Sequence, residues 1–250
     1  MPNWCENSLT ISSNDIDILN QFYLNNKTEE NELDFNCICP VPSELMNAQS
    51  PNNLDDIKKQ ELIDKYGYDD WYSWCNNNWG TKWNTSDVEY NNYDTQLTYT
   101  FNTAWGPPNA WLTKLTEKYS DLEIRLEYEE PGMDFAGVMD YSNGILSDES
   151  YSLSEHIWEN CDQGLVTNTI VTVINENFHI FEDENSDEIT DMVIEELCDE
   201  IPNAYAIYST IHELVIEYFD NNNDKIDNTS YEESILHYDD KGSDIKKLNL

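Results

Sequence analysis

Residues 126–224 contain 25 acidic residues and no lysine or arginine. A stretch of this length without lysine or arginine cannot build ordinary networks of surface salt bridges. The whole chain of 250 residues has 51 acidic and 12 basic residues, a formal net charge of -39. Its 16 Tyr, 8 Trp and 7 Phe set it apart from acidic disordered chains, which are poor in aromatic residues. The sequence therefore predicts a folded and strongly acidic protein.

The charge excludes several classes of partner. Nucleic acids and anionic membranes are bound through stripes of lysine and arginine, and this chain has a single arginine, Arg125. We therefore expect no direct nucleic-acid binding and no membrane binding. No apolar run reaches the ~18 residues of a membrane helix, and the first residues lack a secretory signal, so a cytoplasmic protein is expected. Biased composition is the alternative explanation of the charge, but such bias would favour lysine as readily as aspartate.

The hydrophobic pattern of the first half predicts a ferredoxin-like, split-βαβ domain of the α+β class. Its elements are a strand at 7–12, a helix from Ser13 or Asn14 to about Asn25, a strand at 33–39, a helical stretch with tryptophans at 54–79, strands at 87–92 and 96–103, a helix opened by Pro107 and Pro108, a strand at 122–130, and a hairpin at 135–147 around Asn143-Gly144. Without its insertions, this order places an antiparallel sheet under two helices.

The second half predicts a smaller acidic α/β extension. Residues 148–165 are polar and are expected to connect the two halves, and residues 168–174 (NTIVTVI) are predicted as a strand. Helices are predicted from Asn185 or Ser186 to about Glu200 and over 203–219, followed by a polar tail from Asp220. The predicted domains are a ferredoxin-like domain at 1–147 and a strand-helix-helix extension at 148–250.

Four motifs of the first half resemble one known family. They are Met1-Pro2-Asn3-Trp4-Cys5 with Asn7, Trp79-Gly80-Thr81-Lys82-Trp83, Thr103-Ala104-Trp105-Gly106-Pro107-Pro108, and Glu130-Pro131-Gly132. In this order they resemble the YubB-type ferredoxin-like family of phages, plasmids and other mobile elements. The resemblance covers about residues 1–147 and implies the same fold and a mobile-element origin, but it carries no catalytic residues.

The tryptophan-rich motifs allow two interpretations. Trp79, Trp83, Trp105 and Trp111 can form an aromatic pocket with Lys82, or they can cover the open face of a small sheet. We favour the second, since large side chains usually serve a core.

The sequence shows little support for catalysis, metals or cofactors. Cys37 and Cys39 have no second Cys/His pair at zinc-site spacing. No phosphate-binding glycine loop or nucleophile elbow occurs, and a nucleophile based on Cys5 is the sole catalytic candidate. We therefore expect no cofactor, no metal site and no enzymatic activity.

The acidic clusters of the second half are the predicted partner-binding surface. They comprise Glu182, Asp183, Glu184, Asp187, Glu188, Glu195, Glu196, Asp199, Glu200, Glu213 and Glu217. Charge near a helix C-terminus opposes the helix dipole, so its placement there suggests a purpose beyond solubility. A rigid array of carboxylates can occupy a Lys/Arg-lined groove in place of DNA.

Two functions follow from these observations. The first is an anti-defence inhibitor of a phage or related element, acting in the host cytoplasm as a DNA mimic. Its partner would be a basic host protein, namely a defence nuclease or its DNA-recognition subunit. The alternative is a structural or assembly module that forms a homodimer through an aromatic sheet face and acidic helices. A solvated acidic surface without a partner remains the plain alternative to both.

Overall fold

The computed structural model describes residues 3–48, 50, 54–177 and 186–221. Two compact units are present, Met1–Glu159 and Asn160–Leu250, here called the sheet unit and the helical unit. The strand predicted to end the first domain at residue 147 continues to Tyr151. The strands are β1 Trp4–Ser12, β2 Ser86–Tyr93, β3 Gln96–Ala104, β4 Glu123–Glu130, β5 Phe135–Ser142 and β6 Ile145–Tyr151. The helices are α1 Ile16–Asn26, α2 Ser43–Met46, α3 Asp56–Tyr66, α4 Trp71–Asn78, α5 Asn109–Lys118, α6 Leu153–Asn160, α7 Gln163–Glu176, α8 Ser186–Leu197 and α9, residues 208–221.

The sheet unit contains one six-stranded sheet in the order β2-β3-β1-β4-β5-β6. Every neighbouring pair of strands is antiparallel. The order β2-β3-β1-β4, with α1 after β1 and α5 after β3, is the split-βαβ arrangement. The predicted α+β, ferredoxin-like fold class is therefore confirmed. The hairpin β5–β6 extends the sheet beyond β4, and its turn has positive φ angles at Asn143 (53°) and Gly144 (79°), as predicted for an Asn-Gly turn.

One face of this sheet carries the core. Alternate residues of β1 and β4 are buried, so that Leu9, Ile11 and Leu126 lie in the interior. Phe22 of α1 packs against Tyr99 of β3, and Trp111 of α5 is fully buried in the same cluster. The opposite face of the sheet bears polar residues, such as the exposed Glu6, Thr100 and Glu127. The buried aromatic residues Tyr99 and Phe101 of β3 thus belong to the core between the sheet and its helices.

The strand predicted at 33–39 is wrong. Residues Phe35–Cys37 form a turn of 3-10 helix, capped by the Asp34 carboxylate, which accepts from the Asn36 N–H. The Asp34 N–H donates to the Asn26 carbonyl (2.8 Å), and the Phe35 N–H donates to Asn84 Oδ1 (2.9 Å). Loop partners thus satisfy the backbone groups that a sheet would pair, while Leu33 and Phe35 still point inward.

The described part of the helical unit contains α7, α8, a 3-10 turn at Ala204–Ile207 and α9. The predicted strand at 168–174 is wrong, because these residues lie inside α7, which Asp162 caps by accepting from Gly164 N and Leu165 N. The predicted connector at 148–165 is also wrong, since it comprises the end of β6, all of α6 and the start of α7. The two helices predicted at about 186–200 and 203–219 are confirmed as α8 and the 3-10 turn with α9. The extension is therefore helical in its described residues.

The helical unit is held together by aliphatic side chains at helical spacing. Val166, Ile170 and Val173 line the buried side of α7, and the same spacing recurs in α8 and α9. In the part of the chain that the structure describes, no helix combines the length and apolar character needed to span a bilayer.

Candidate functional site

The four sequence motifs meet at one end of the sheet. Because β1 is antiparallel to both β3 and β4, its first residues lie beside the last residues of those strands. Trp4 pairs with Ala104, Cys5 pairs with Thr103, and Glu6 pairs with Glu129. The sheet topology thus collects motifs that are far apart in the chain into one place.

Hydrogen bonds fix the motifs to one another. Thr81 Oγ1 donates to the Ala104 carbonyl (3.0 Å) and accepts from the Ala104 N–H (3.1 Å). The Trp105 N–H donates to the Asn3 carbonyl (3.0 Å). Gly80 has φ of 91°, and a Cβ there would lie 2.9 Å from Asn109 N, so the close approach of these segments requires glycine.

The tryptophans of the motifs divide into two groups. Trp79 and Trp111 are buried, and their indole N–H groups donate to the Cys39 carbonyl (2.8 Å) and the Phe35 carbonyl (3.3 Å). Trp83 and Trp105 are 40% and 48% exposed. The predicted set of four therefore does not form one pocket, since half of it belongs to the core.

A third exposed indole joins the second group. Trp4 is 38% exposed, and its ring centroid lies 6.0 Å from that of Trp83. Trp4, Trp83 and Trp105 are here called the tryptophan cluster. Sequence reasoning did not include Trp4 in the pocket, although its place at the first position of β1, on the polar face, was the signal that could have shown it.

Lys82 links the members of the cluster. Its Nζ lies 3.9 Å from the Trp83 ring centroid and 5.9 Å from that of Trp105, which are distances of cation–π contact. Trp105 has φ of 73°, in the left-handed region that non-glycine residues rarely adopt. Such a conformation costs on the order of 1–3 kcal/mol and persists when the surrounding contacts enforce it. The exposed indole of Trp105 is thus held in place at an energetic cost.

A buried polar row lies on the covered face at the same end. Cys5 is fully buried between Thr103 and the strand end at Glu130, and burial raises the pKa of its thiol to about 12. Asn7 Nδ2 donates to the Cys5 carbonyl (2.8 Å) and to Thr103 Oγ1 (2.8 Å). Cys5 is therefore a neutral thiol at pH 7, which does not suit a nucleophile.

Glu130 is the charged member of this row. It is 2% exposed, and its Oε1 accepts from the Gly132 N–H (3.0 Å), capping a 3-10 turn. Its Oε2 is buried and has no hydrogen-bond partner within the described residues. A carboxylate so placed lowers the stability of the fold unless a donor reaches it.

The surroundings of Cys39 differ from those of Cys5. Cys39 is nearly buried, and Lys114 Nζ donates to its Sγ (3.0 Å) and to Asn78 Oδ1 (2.7 Å). All six cysteines are free thiols. Among the described ranges, no three His, Cys, Asp or Glu side chains are grouped as metal ligands would be.

The predicted acidic residues lie on the exposed sides of the helical unit. Asp187 and Glu188 occupy the first turn of α8, Glu195 and Glu196 its last turn, and Asp199 and Glu200 the turn that follows. Glu213 and Glu217 lie on α9. Glu182, Asp183 and Glu184 lie outside the described residues.

Four further carboxylates share this exposure; sequence reasoning placed Asp220 in one charge stripe with Glu213 and Glu217 but missed Asp162, Glu176 and Asp191. The exposed acidic residues of the described helical unit are Asp162, Glu176, Asp187, Glu188, Asp191, Glu195, Glu196, Asp199, Glu200, Glu213, Glu217 and Asp220. No lysine or arginine occurs in this part of the chain. His212 Nδ1 lies 3.6 Å from Asp187 Oδ1 and 3.1 Å from Thr190 Oγ1. The described surface of the helical unit therefore presents many carboxylates and no lysine or arginine.

The fold and these surfaces define a ferredoxin-like α+β protein with an acidic helical unit. Residues 78–164 match the family described as the ferredoxin-like domain in Api92-like protein, so the chain contains a domain of this kind. A crystal structure of a protein api92 from Yersinia pseudotuberculosis is similar over 61% of this chain and 98% of its own, with 11% identity and a TM-score of 0.39. No curated protein matches the chain. Membership of the YubB-type family stays a prediction.

Proposed function

We propose that the protein is a non-enzymatic, anti-defence inhibitor encoded by a phage or related mobile element. It binds a basic, nucleic-acid-handling protein of the host, such as a defence nuclease or its DNA-recognition subunit. The observation that carries this proposal is the described part of the helical unit, residues 160–177 and 186–221, where every acidic residue is exposed and no lysine or arginine occurs. The YubB-type motifs support the mobile-element origin.

Helices give the carboxylates a fixed spacing. Asp187, Asp191 and Glu195 follow one another at intervals of four residues along α8, and Asp199 continues the series beyond its end. Residues four apart on a helix lie about 5–6 Å from each other at Cβ. Duplex DNA presents one charge per ~1.7 Å of its axis, and a basic groove binds it largely through those charges. A fixed row of carboxylates thus supplies the same kind of ligand to such a groove.

The positions of these carboxylates destabilise the helix that contains them. The last turn of α8 contains no base, and Glu195 and Glu196 lie where the helix dipole disfavours negative charge. Like charges four residues apart also repel, at a few tenths of a kcal/mol per pair. A bound cationic partner offsets both the unfavourable interaction with the helix dipole and the like-charge repulsion, and this makes the free energy of binding more favourable.

The proposal is tested by binding to purified host restriction complexes and defence nucleases at several salt concentrations. We expect saturable binding that weakens steeply with salt, since each neutralised charge adds to the salt dependence. The variant Glu195→Gln, Glu196→Gln, Asp199→Asn, Glu200→Gln should bind at least tenfold more weakly, as four charge contacts each contribute roughly 0.5–1 kcal/mol.

A matched control carries the same change of net charge in the sheet unit. Glu29→Gln, Glu30→Gln, Glu61→Gln and Glu117→Gln alter exposed residues outside the proposed surface. This variant should keep its affinity within about twofold, because it leaves every carboxylate of the proposed surface in place. Equal binding by the wild type and the helical-unit variant contradicts the DNA-mimic proposal.

The alternative function is a module that self-associates through an aromatic sheet face and acidic helices, and only the second of these surfaces is exposed. The aromatic face of the sheet packs beneath α1 and α5, so it is not available to a second copy. A homodimer through other surfaces remains a prediction. Sedimentation of the purified protein at low and high salt tests it, since an assembly module shows a dimer without any added partner.

A further inference from the structure

We propose that the tryptophan cluster is a second contact surface for the same basic partner and that it binds an arginine side chain. This inference rests on the proposed function, in which the partner is cationic. It concerns the sheet unit, whereas the DNA-mimic surface belongs to the helical unit, so each can be tested without the other.

The cluster has the properties of an interface anchor. Three indoles with exposed fractions between 38% and 48% lie at one end of the sheet, where Trp4 lies beside Trp83 and Lys82 contacts both Trp83 and Trp105. Exposed tryptophans are rare on surfaces that have no partner, and tryptophan is enriched among the residues that dominate binding energy. The hydrogen bonds from Trp105 N to Asn3 and between Thr81 and Ala104 fix the backbone segments that carry Trp105 and Trp83, which lowers the cost of ordering them on binding.

The indole faces of the cluster already hold a cation. Lys82 Nζ lies 3.9 Å from the centroid of Trp83, and it lies farther, 5.9 Å, from that of Trp105. Lys82 therefore covers Trp83 most closely and leaves Trp105 and Trp4 for another group. A second cation is attracted to those rings for the same electrostatic reason.

Carboxylates beside the cluster favour a cation over a neutral ligand. Glu6 is exposed and lies two residues after Trp4, on the same face of β1. It pairs directly with Glu129 of β4, and like charges at paired positions of a sheet repel each other. The exposed carboxylate of Glu6 attracts a cation to this part of the surface. Arg125, the single arginine of the chain, is engaged by Glu127 (2.9 Å) and Asp140 (2.7 Å) farther along β4.

Guanidinium fits this arrangement better than ammonium. It is planar, so it stacks on an indole, and its fork of N–H donors can serve two carboxylate oxygens at once. Lysine carries a compact and strongly hydrated charge, which makes stacking more costly. The combination of Trp4, Trp105 and Glu6 is therefore expected to prefer arginine.

The experiment uses the full chain and two probes of equal charge, a hexa-arginine and a hexa-lysine peptide, with binding followed by tryptophan fluorescence and calorimetry. We expect hexa-arginine to bind roughly fivefold more tightly than hexa-lysine. This ratio of the two affinities corresponds to the free energy of about one cation–π contact. In Trp105→Ala and in Trp4→Ala this ratio should fall to about one. Lys82→Met removes the competing cation and should raise the ratio.

The control for the indoles is Tyr93→Ala, an aromatic residue with 59% exposure at the other end of the sheet. This variant should retain the wild-type ratio, and circular dichroism confirms that each variant is folded. The helical-unit variant with four neutralised carboxylates should bind both peptides more weakly and keep the ratio.

Each outcome separates the two proposals. If the wild type binds both peptides equally, or if the ratio survives in both tryptophan variants, the arginine site is overturned and the DNA-mimic surface stands. If the ratio is present but the helical-unit variant binds host nucleases as the wild type does, the arginine site stands and the DNA-mimic surface is overturned. If neither peptide binds, the arginine site is overturned, and the DNA-mimic surface is decided by the binding assay with host nucleases.

Discussion

At the scale of single residues, Trp105 combines an exposed indole with a left-handed backbone. Glycine adopts that backbone without strain, whereas alanine does not. We therefore predict that Trp105→Gly is more stable than Trp105→Ala by about 1 kcal/mol, the reverse of the usual order. Urea unfolding of the two variants measures the difference. A more stable alanine variant would show that position 105 is not strained.

The buried thiols Cys5 and Cys75 determine how stability responds to alkaline pH. Burial raises the pKa of each from an ordinary value of 9.0 to about 12. Above pH 9 the unfolded thiols release protons that the folded thiols keep, so the free energy of unfolding falls, by about 1.4 kcal/mol per pH unit and thiol. Urea unfolding between pH 7 and 10.5 should show a plateau followed by this decline.

Two experiments test whether the buried thiols cause this loss of stability. Cys5→Ala should begin from a lower stability at pH 7 and decline less steeply above pH 9. In the native protein at pH 8, the exposed Cys198 should react with a thiol reagent, while Cys5 and Cys75 should not. Rapid labelling of Cys5 would contradict its burial.

At the scale of elements, α8 places negative charge at both of its ends. Asp187→Lys and Glu195→Lys change the net charge equally but at opposite ends of the helix. We predict that Glu195→Lys stabilises the protein and Asp187→Lys destabilises it, with a difference of about 1 kcal/mol at low salt. Thermal unfolding at 20 mM and 1 M salt measures both variants. A difference that persists unchanged at 1 M salt would exclude the helix dipole as its cause.

Some elements have sequence patterns that predict their structure correctly, and others do not. β1 and β4 alternate strictly and are buried on one side, so their strands were predictable. The segment 33–39 alternates as well, but the Asp34 carboxylate and Asn84 satisfy its backbone groups, and that long-range contact is invisible in sequence. The segment 168–174 is rich in β-branched residues, yet it continues an apolar helical repeat that starts at Val166. Tertiary packing overrode the local propensity there.

The candidate site was predictable in part. The acidic residues of α8 and α9 were expected at the surface, and the described ones lie there. The tryptophan motifs were identified, but nothing in their composition separates the buried Trp79 from the exposed Trp83 four residues later. Trp79 follows the last residue of α4 and packs against Phe35 and Trp74, whereas Trp83 lies in the segment before β2, so packing between distant segments decides the division.

At the scale of the whole molecule, negative charge is denser in the helical unit, whose 91 residues contain 22 acids and 4 bases, than in the sheet unit, whose 159 residues contain 29 acids and 8 bases. Self-repulsion destabilises a compact state and is screened over about 10 Å at 0.1 M salt. We predict that raising NaCl from 10 to 500 mM increases the melting temperature. Hydrogen exchange should show a larger gain in protection for α7 to α9 than for the sheet unit, which contains 8 of the 12 bases. An equal gain in both units would contradict this distribution of the repulsion.

The pairing of β1 also affects how the protein is made. Asn7 of β1 bonds to Thr103 of β3, 96 residues farther along the chain. The first strand to leave the ribosome therefore waits for its neighbours until most of the sheet unit has been synthesised. Contacts so distant in sequence make folding slow, and an unpaired apolar strand can join another chain in the meantime. The helical unit, built from local contacts, emerges after the sheet unit and can form quickly. The order of synthesis thus places the period of greatest aggregation risk before the acidic helices exist.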